Sequence, residues 1–264
     1  MKYLFHSVIL LCIIASSAVH SQSYRFFNLE SFAIHAIGNY SMHSYSAKFT
    51  AFQGSTLCSE FTSGSGTGLG YGLHIELPVQ NSMAVTLGFT MNNRNGKLNT
   101  TSEFPVRNIN QSGMITVTTD NQIEATLPYL DIQPDIRFNI IDNLNFIARG
   151  FAGMVCKIPI SSSFVQTESI VSPESAVFVN NGITSQSRVL ASGPINSSSV
   201  ALGTTFGAET MIRIAPAMHI TQHIIYEIPL SDIVSDVPWK ISGFRCGLGL
   251  RYSFRKFNPT PNMP

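Results

Sequence analysis

Charge is scarce in this sequence. Asp, Glu, Lys and Arg make up 12% of the 264 residues, and the formal net charge is +1. That charged share is about half of what globular domains carry. So even a balance offers no basic field to draw nucleic acid and no acidic tail. Long apolar runs are lacking too: no segment approaches the ~18–20 consecutive apolar residues of a membrane helix. Cysteine is sparse, with four in the chain. Cys58, Cys156 and Cys246, which remain if the N-terminal segment is removed, show no metal-ligand spacing, which argues against zinc. An odd number of thiols leaves at least one unpaired.

What is present is a 44% hydrophobic content together with abundant Gly, Ser, Asn and Thr. The N-terminus reads as a secretory signal over 1–21. Lys2 supplies the positive end, Val8 to Ala15 the apolar core, and small residues follow, with cleavage after Ser21 or Ala18. Leu11 before Cys12 is wrong for a lipoprotein site. An exported chain without a spanning helix enters a membrane only as a closed barrel, because its backbone groups must all be paired there.

The stretch "GLGYGLHIELPVQNSMAVTLGFTMN" (68–92) alternates with a period of two. Leu69, Tyr71, Leu73, Ile75 and Leu77 lie on one face, with Gly68, Gly70, Gly72, His74 and Glu76 on the other. Similar strands are predicted over 83–92, 126–140, 144–158, 199–214, 219–228 and 241–254. The eighth strand that an even-numbered barrel requires falls within 31–49, preceding a first loop over 50–67. Short turns then alternate with long polar loops at 93–125 and 159–198, as expected of periplasmic turns and extracellular loops.

Which face meets lipid follows from the polar positions. They carry small residues and a nearly balanced set of charges, Glu76, Asp131, Asp135, Glu209 and Glu227 against Arg137, Arg149, Arg213, Arg245 and Arg251. Such a set is expected to pair across a lumen, leaving the apolar face to lipid. The competing reading is a secreted β-sandwich, with its apolar faces packed together. The expected fold is therefore an all-β, eight-stranded antiparallel up-and-down transmembrane β-barrel over 22–254, with a short periplasmic tail at 255–264.

The stretches "GLGYGLHIELPV", "YLDIQPDIRFNIIDNLNFIARGFAGM" (129–154), "FGAETMIRIAPAMHITQHIIYEI" (206–228) and "GFRCGLGLRYSF" resemble the OmpA/OmpX-type outer-membrane β-barrel domain. More closely, they are similar to barrel proteins of unassigned role in Bacteroidetes-like bacteria. The resemblance implies an outer-membrane location and contact with outer-membrane lipid and lipopolysaccharide. It also implies a C-terminal signal for the insertion machinery at Leu248, Leu250, Tyr252 and Phe254. Two departures stand out, the residues continuing past Phe254 and Pro134 inside a strand.

No cofactor or metal is expected, and eight strands enclose too little space for a general diffusion channel. Because some eight-stranded barrels modify lipid A, catalytic candidates were sought. His43, Ser44 and Ser46 near the outer end of the first strand are the better ones. His219 and His223, with Glu227 beyond, read as lumen residues, His35 and His74 as lone histidines, and Asp232 and Asp236 as loop caps. The expected role is structural or interactive, with the loops at 93–125 and 159–198 offered to an extracellular ligand, and a lipid A-modifying enzyme as the alternative.

Overall fold

The computed structural model describes residues 31–52, 55–80, 82–107, 113–180 and 182–255. The expected signal peptide and the tail beyond Arg255 lie outside the described residues. The fold is all-β and antiparallel. In chain order its strands are β1 (Ser31–Phe52), β2 (Ser55–Gln80), β3 (Met83–Asn93), β4 (Gly96–Arg107), β5 (Met114–Thr126), β6 (Pro128–Asp142) and β7 (Phe146–Pro159). There follow β8 (Ser163–Ser172), β9 (Phe178–Asn180), β10 (Ile183–Ser185), β11 (Ser187–Pro194), β12 (Ala201–Ala215), β13 (Met218–Pro229) and β14 (Trp239–Arg255).

Eight of these strands pair in a closed ring. The order β1-β14-β13-β12-β7-β6-β3-β2 returns to β1 through a second pairing of β1 with β2. His35, for example, stands between Arg251 of β14 and His74 of β2. Each ring strand thus finds a partner on both sides and no edge is left open.

The strand count corrects the expectation of eight, because the two long polar loops expected at 93–125 and 159–198 are largely strand. β3 runs on into β4 across a break at 94–95, and β5 runs into β6 across Leu127. Asn93 pairs with Pro128 below this break, and Gly96 with Ala125 above it. Across the gap the Arg94 amide donates to the Leu127 carbonyl at 2.9 Å. β7 continues as β8 and β11 as β12 in the same way, with Ile160 N donating to Pro128 O and Ile195 N to Ser162 O. The breaks fall at one level and form a waist. Above it, β4, β5, β8 and β11 extend the wall alongside the long upper halves of β1 and β2.

The two faces exchange polarity at the waist. Below it, apolar side chains point out, with Leu69 at 69%, Tyr71 at 68% and Leu248 at 62% exposure, while His74, Glu76 and Thr86 are buried. Above it, Lys97, Asn99, Thr101 and Glu103 face outward on β4, and Leu98 is buried. The upper interior is an apolar cluster around Trp239, with Tyr45, Phe49, Phe52, Phe61, Ile123, Phe164 and Ile233. The Trp239 ring lies 5.5 Å from that of Tyr45, 5.9 Å from Phe49 and 5.8 Å from Phe52.

The connection between β13 and β14 closes over this cluster. Ile233 N donates to Trp239 O, Ser198 N to Ile233 O, and Lys48 N to Pro238 O. The capping reading of Asp232 and Asp236 has concrete partners here. Asp232 accepts from the Trp239 amide, and Asp236 from the Asn196 side chain.

Glycine on the inner face makes room for large neighbours. A Cβ on Gly207 would stand 2.3 Å from the Phe151 ring, so Phe151, an apolar residue on the polar face, fills the space that Gly207 leaves. Cys156 and Cys246 are free thiols on β7 and β14, strands separated by β12 and β13.

Trp239 is the single tryptophan and has 0% exposure, so its fluorescence reports on the upper core alone. Phe61→Ala is expected to cost about 3–5 kcal/mol there, the usual range for truncating a buried Phe. The check is a lower urea midpoint followed by Trp239 emission, and an unchanged midpoint would contradict the packing described.

Candidate functional site: a charged lumen beneath an apolar cap

Inward positions recur every second residue along each strand, so the polar residues of all eight ring strands converge on one interior. Water is largely excluded there, and the charges have to pair with each other. They do so in two clusters.

The lower cluster centres on Glu76, Asp135 and Glu209. Glu76 accepts from Arg149 and Arg251, both at 2.7 Å, and from His35 at 3.0 Å. Glu209 accepts from Arg137 at 2.8 Å and from Arg149 Nε at 3.0 Å. Arg137 also donates to Asp135 at 2.8 Å and lies over the Phe151 ring, 5.2 Å from its centroid. Its other terminal nitrogen is 3.1 Å from His74 Nδ1. A guanidinium only donates, so His74 presents a lone pair at Nδ1.

The upper cluster is built around Arg94, which enters from the break between β3 and β4. One guanidinium nitrogen donates to Asp131 at 2.8 Å and to Glu227 at 2.7 Å. Lys157 donates to the other Glu227 oxygen at 2.5 Å, and Asn92 to Asp131 at 2.7 Å. Directly above, the Tyr45 hydroxyl donates to the Arg94 carbonyl at 2.5 Å. Gln133 ties the clusters together, accepting from Arg245 at 2.8 Å and donating to Asp135 at 3.4 Å.

Of the charges placed on the inner face by sequence, Glu76, Asp131, Asp135, Arg137, Glu209, Glu227 and Arg245 are buried, and Arg251 is half-buried. Arg213 departs from that reading. It is exposed beside the turn after β12 and donates to the carbonyls of Ala215 and Pro216. At the strand end the lumen opens, and backbone carbonyls there replace a carboxylate partner. Residues absent from the expected set are Arg94, Lys157 and Gln133. Lys157 and Gln133 share the inward parity of their strands and were legible. Arg94 sits in a break between strands, where no period marks it.

The catalytic candidates separate. His43 is buried on the inner face, its Nε2 3.1 Å from the Asn95 carbonyl, while Ser44 and Ser46 point outward. Adjacent strand residues face opposite ways, so neither serine can use His43 as a base. His223 is buried in the lumen and His219 half-buried, on the same face as Glu227.

At the short-turn end the lumen widens into a vestibule of about 820 Å3, reached by Glu76, Arg149, His219 and Arg251. At the opposite end the Trp239 cluster closes it. The interior is therefore a blind, ion-paired cavity. Among the described residues no helix is long and apolar enough to cross a membrane, which says nothing of strands.

No family model and no curated protein sequence matches the chain. Among solved structures it is similar to Neisserial surface protein A, at 12% identity and a TM-score of 0.40, over 86% of this chain and 97% of that one. It is likewise similar to the outer membrane protein OprG from Pseudomonas aeruginosa, at 11% identity and a TM-score of 0.42, over 85% and 96%. A third is the outer membrane protease OmpT from Escherichia coli, at 8% identity and a TM-score of 0.46, over 88% and 99%.

Removing one partner of a buried ion pair leaves an uncompensated charge, which costs about 3–5 kcal/mol. Glu227→Ala, which strands Lys157 and leaves Arg94 with Asp131 alone, is expected to fall in that range by equilibrium unfolding. Arg213→Ala should stay within about 0.5 kcal/mol of the parent, as exposed sites do. Equal losses for the two variants would contradict the placement of both residues.

Proposed function

We propose that this chain is an eight-stranded outer-membrane β-barrel of the OmpA/OmpX type, close to the Bacteroidetes-like members of unassigned role, with a structural or surface-interaction function. The observation that carries the reading is the outer face of the ring below the waist. Among the described residues, the outward positions from Phe32 to Met42, Leu69 to Leu77, Met83 to Met91 and Phe244 to Phe254 hold no Asp, Glu, Lys or Arg. In water, so large a continuous apolar band would be an aggregation surface. Facing lipid, it is what a barrel of this kind requires.

The polarity exchange at the waist supports the same orientation. Above that level the wall is polar outside and packs the apolar Trp239 cluster inside, together with buried polar residues such as Thr119, Asn121 and Glu168, and it stands outside the bilayer. The short turns then lie on the periplasmic side. Residues 1–21 act as the export signal, and Leu248, Leu250, Tyr252 and Phe254 act as the segment read by the insertion machinery. Outer-membrane lipid and lipopolysaccharide contact the belt.

The strands β4, β5, β8 and β11 within 93–125 and 159–198 form a raised wall that presents Thr-, Ser- and Asn-rich faces to an extracellular ligand. Catalysis has no support from His43 and Ser44, which face opposite ways, and conduction has none from a lumen closed by the Trp239 cluster.

Cell fractionation with gel mobility before and after boiling tests the location. The protein should sediment with outer membranes and migrate anomalously unless boiled, whereas recovery from the soluble periplasm would overturn the reading. Leu250→Lys should sharply reduce the heat-modifiable fraction, since a lysine at mid-belt costs about 2–4 kcal/mol against lipid.

A further inference from the structure

At the short-turn end, one side of the vestibule is lined by a row of basic side chains. Arg213 on β12 stands in register with His219 on β13, and His219 with Arg251 on β14. Like charges directly opposite one another destabilise a sheet, so two arginines flanking a histidine call for an anion over the row. The carboxylates on the vestibule wall do not supply one. Glu76 is already bound by Arg149, Arg251 and His35. Asp142 ends β6, beyond β7 from β12, and accepts from Asn139 at 2.8 Å.

Among the described residues Arg213 has no carboxylate within 4.0 Å. Its partners are backbone carbonyls, of Pro216 at 3.1 Å, Ala215 at 3.4 Å and Leu144 at 3.5 Å. The last two exceed the length of a well-formed N–H···O bond. Beside it, Arg251 Nε and His219 Nδ1 are buried atoms without a hydrogen-bond partner. A guanidinium nitrogen only donates, so what the row lacks is an acceptor. The space in front of it is about 820 Å3.

We propose that the row Arg213, His219 and Arg251 binds a phosphate group at the mouth of the lumen. The site needs only the closed ring, while its opening to the periplasm rests on the membrane reading above. Phosphate rather than carboxylate follows from the number of donors. Three adjacent strands contribute one side chain each, and a phosphate turns three acceptor oxygens toward them where a carboxylate has two. Guanidinium forks also match phosphate geometry. The role suits Arg213, an arginine whose removal is expected to cost little stability. The vestibule has room for a phosphate free in solution and for one carried on a lipid headgroup.

The test is a calorimetric titration of the full mature protein in uncharged maltoside micelles with inorganic phosphate, acetate or short-chain phosphatidylglycerol. One phosphate group should bind per chain, more tightly than acetate. Arg213→Gln should weaken it at least about tenfold, the loss of one charge-assisted hydrogen bond, with gel mobility unchanged. Lys240→Gln, at an exposed lysine of the upper wall, should leave binding intact. Binding of inorganic phosphate assigns a soluble ligand and binding of phosphatidylglycerol alone a lipid headgroup, and either upholds the site if Arg213→Gln weakens it. No saturable binding of either, acetate bound as tightly as phosphate, or binding that Arg213→Gln leaves unchanged or Lys240→Gln weakens equally would overturn the proposal. Arg213-dependent binding by a protein recovered from the soluble periplasm would overturn the membrane reading and uphold the site.

Discussion

Glu227 holds Arg94 on one oxygen and Lys157 on the other, at the level where the molecule changes character. Closing eight strands into a ring forces this kind of arrangement. Every inward side chain loses water, and each charge there survives only by finding an opposite charge within reach. Residues from all eight ring strands meet in the two clusters, so the pairing also fixes the register of each strand against its neighbours. A slip of one residue would turn Glu76 away from Arg149 and Arg251, or Glu227 away from Arg94 and Lys157.

The two tiers follow from that constraint and from the outer surroundings. Below the waist the exterior is apolar, and the interior is left to polar groups. Above it the exterior carries polar residues such as Lys97, Asn99 and Glu103, and an apolar cluster gathers inside around Trp239. Arg94 lies at the junction, its guanidinium in the ionic tier and its carbonyl bound by Tyr45 from the apolar one. Across the breaks from β3 to β4 and from β5 to β6 the inward parity is kept, Asn92 and Leu98 both being buried, so the chemistry of the inward residues changes and not the face.

Most of the ring was legible in the sequence. Alternation of Leu, Ile, Phe and Tyr against Gly and charge marked seven of the ring strands, the first was placed within 31–49 by the even count a barrel requires, and the inward charges were read off the same period. The extension was not, for a physical reason. In β5 the inward residues Val117, Ile123 and Ala125 are apolar, but Thr119 and Asn121 between them are polar, which interrupts the period. Such strands owe their form to pairing with β4 and β8 rather than to their own pattern. Arg94 escaped because it belongs to no strand, and Arg213 misled because correct parity at a strand end does not ensure burial. His43 and Ser44, adjacent in sequence, lost their catalytic promise once the pleat separated them.

The central claim is that the outer face meets lipid below the waist and water above it. Single cysteines carrying a nitroxide, in a background without native cysteines, read this residue by residue. Labels at Leu73, Phe89 and Ile224 should be accessible to oxygen and shielded from a polar nickel complex. Labels at Asn99, Thr101 and Gln122 should show the reverse. Polar-reagent access at Leu73 and Phe89 equal to that at Asn99 would mean that the belt faces water, and the account would fail.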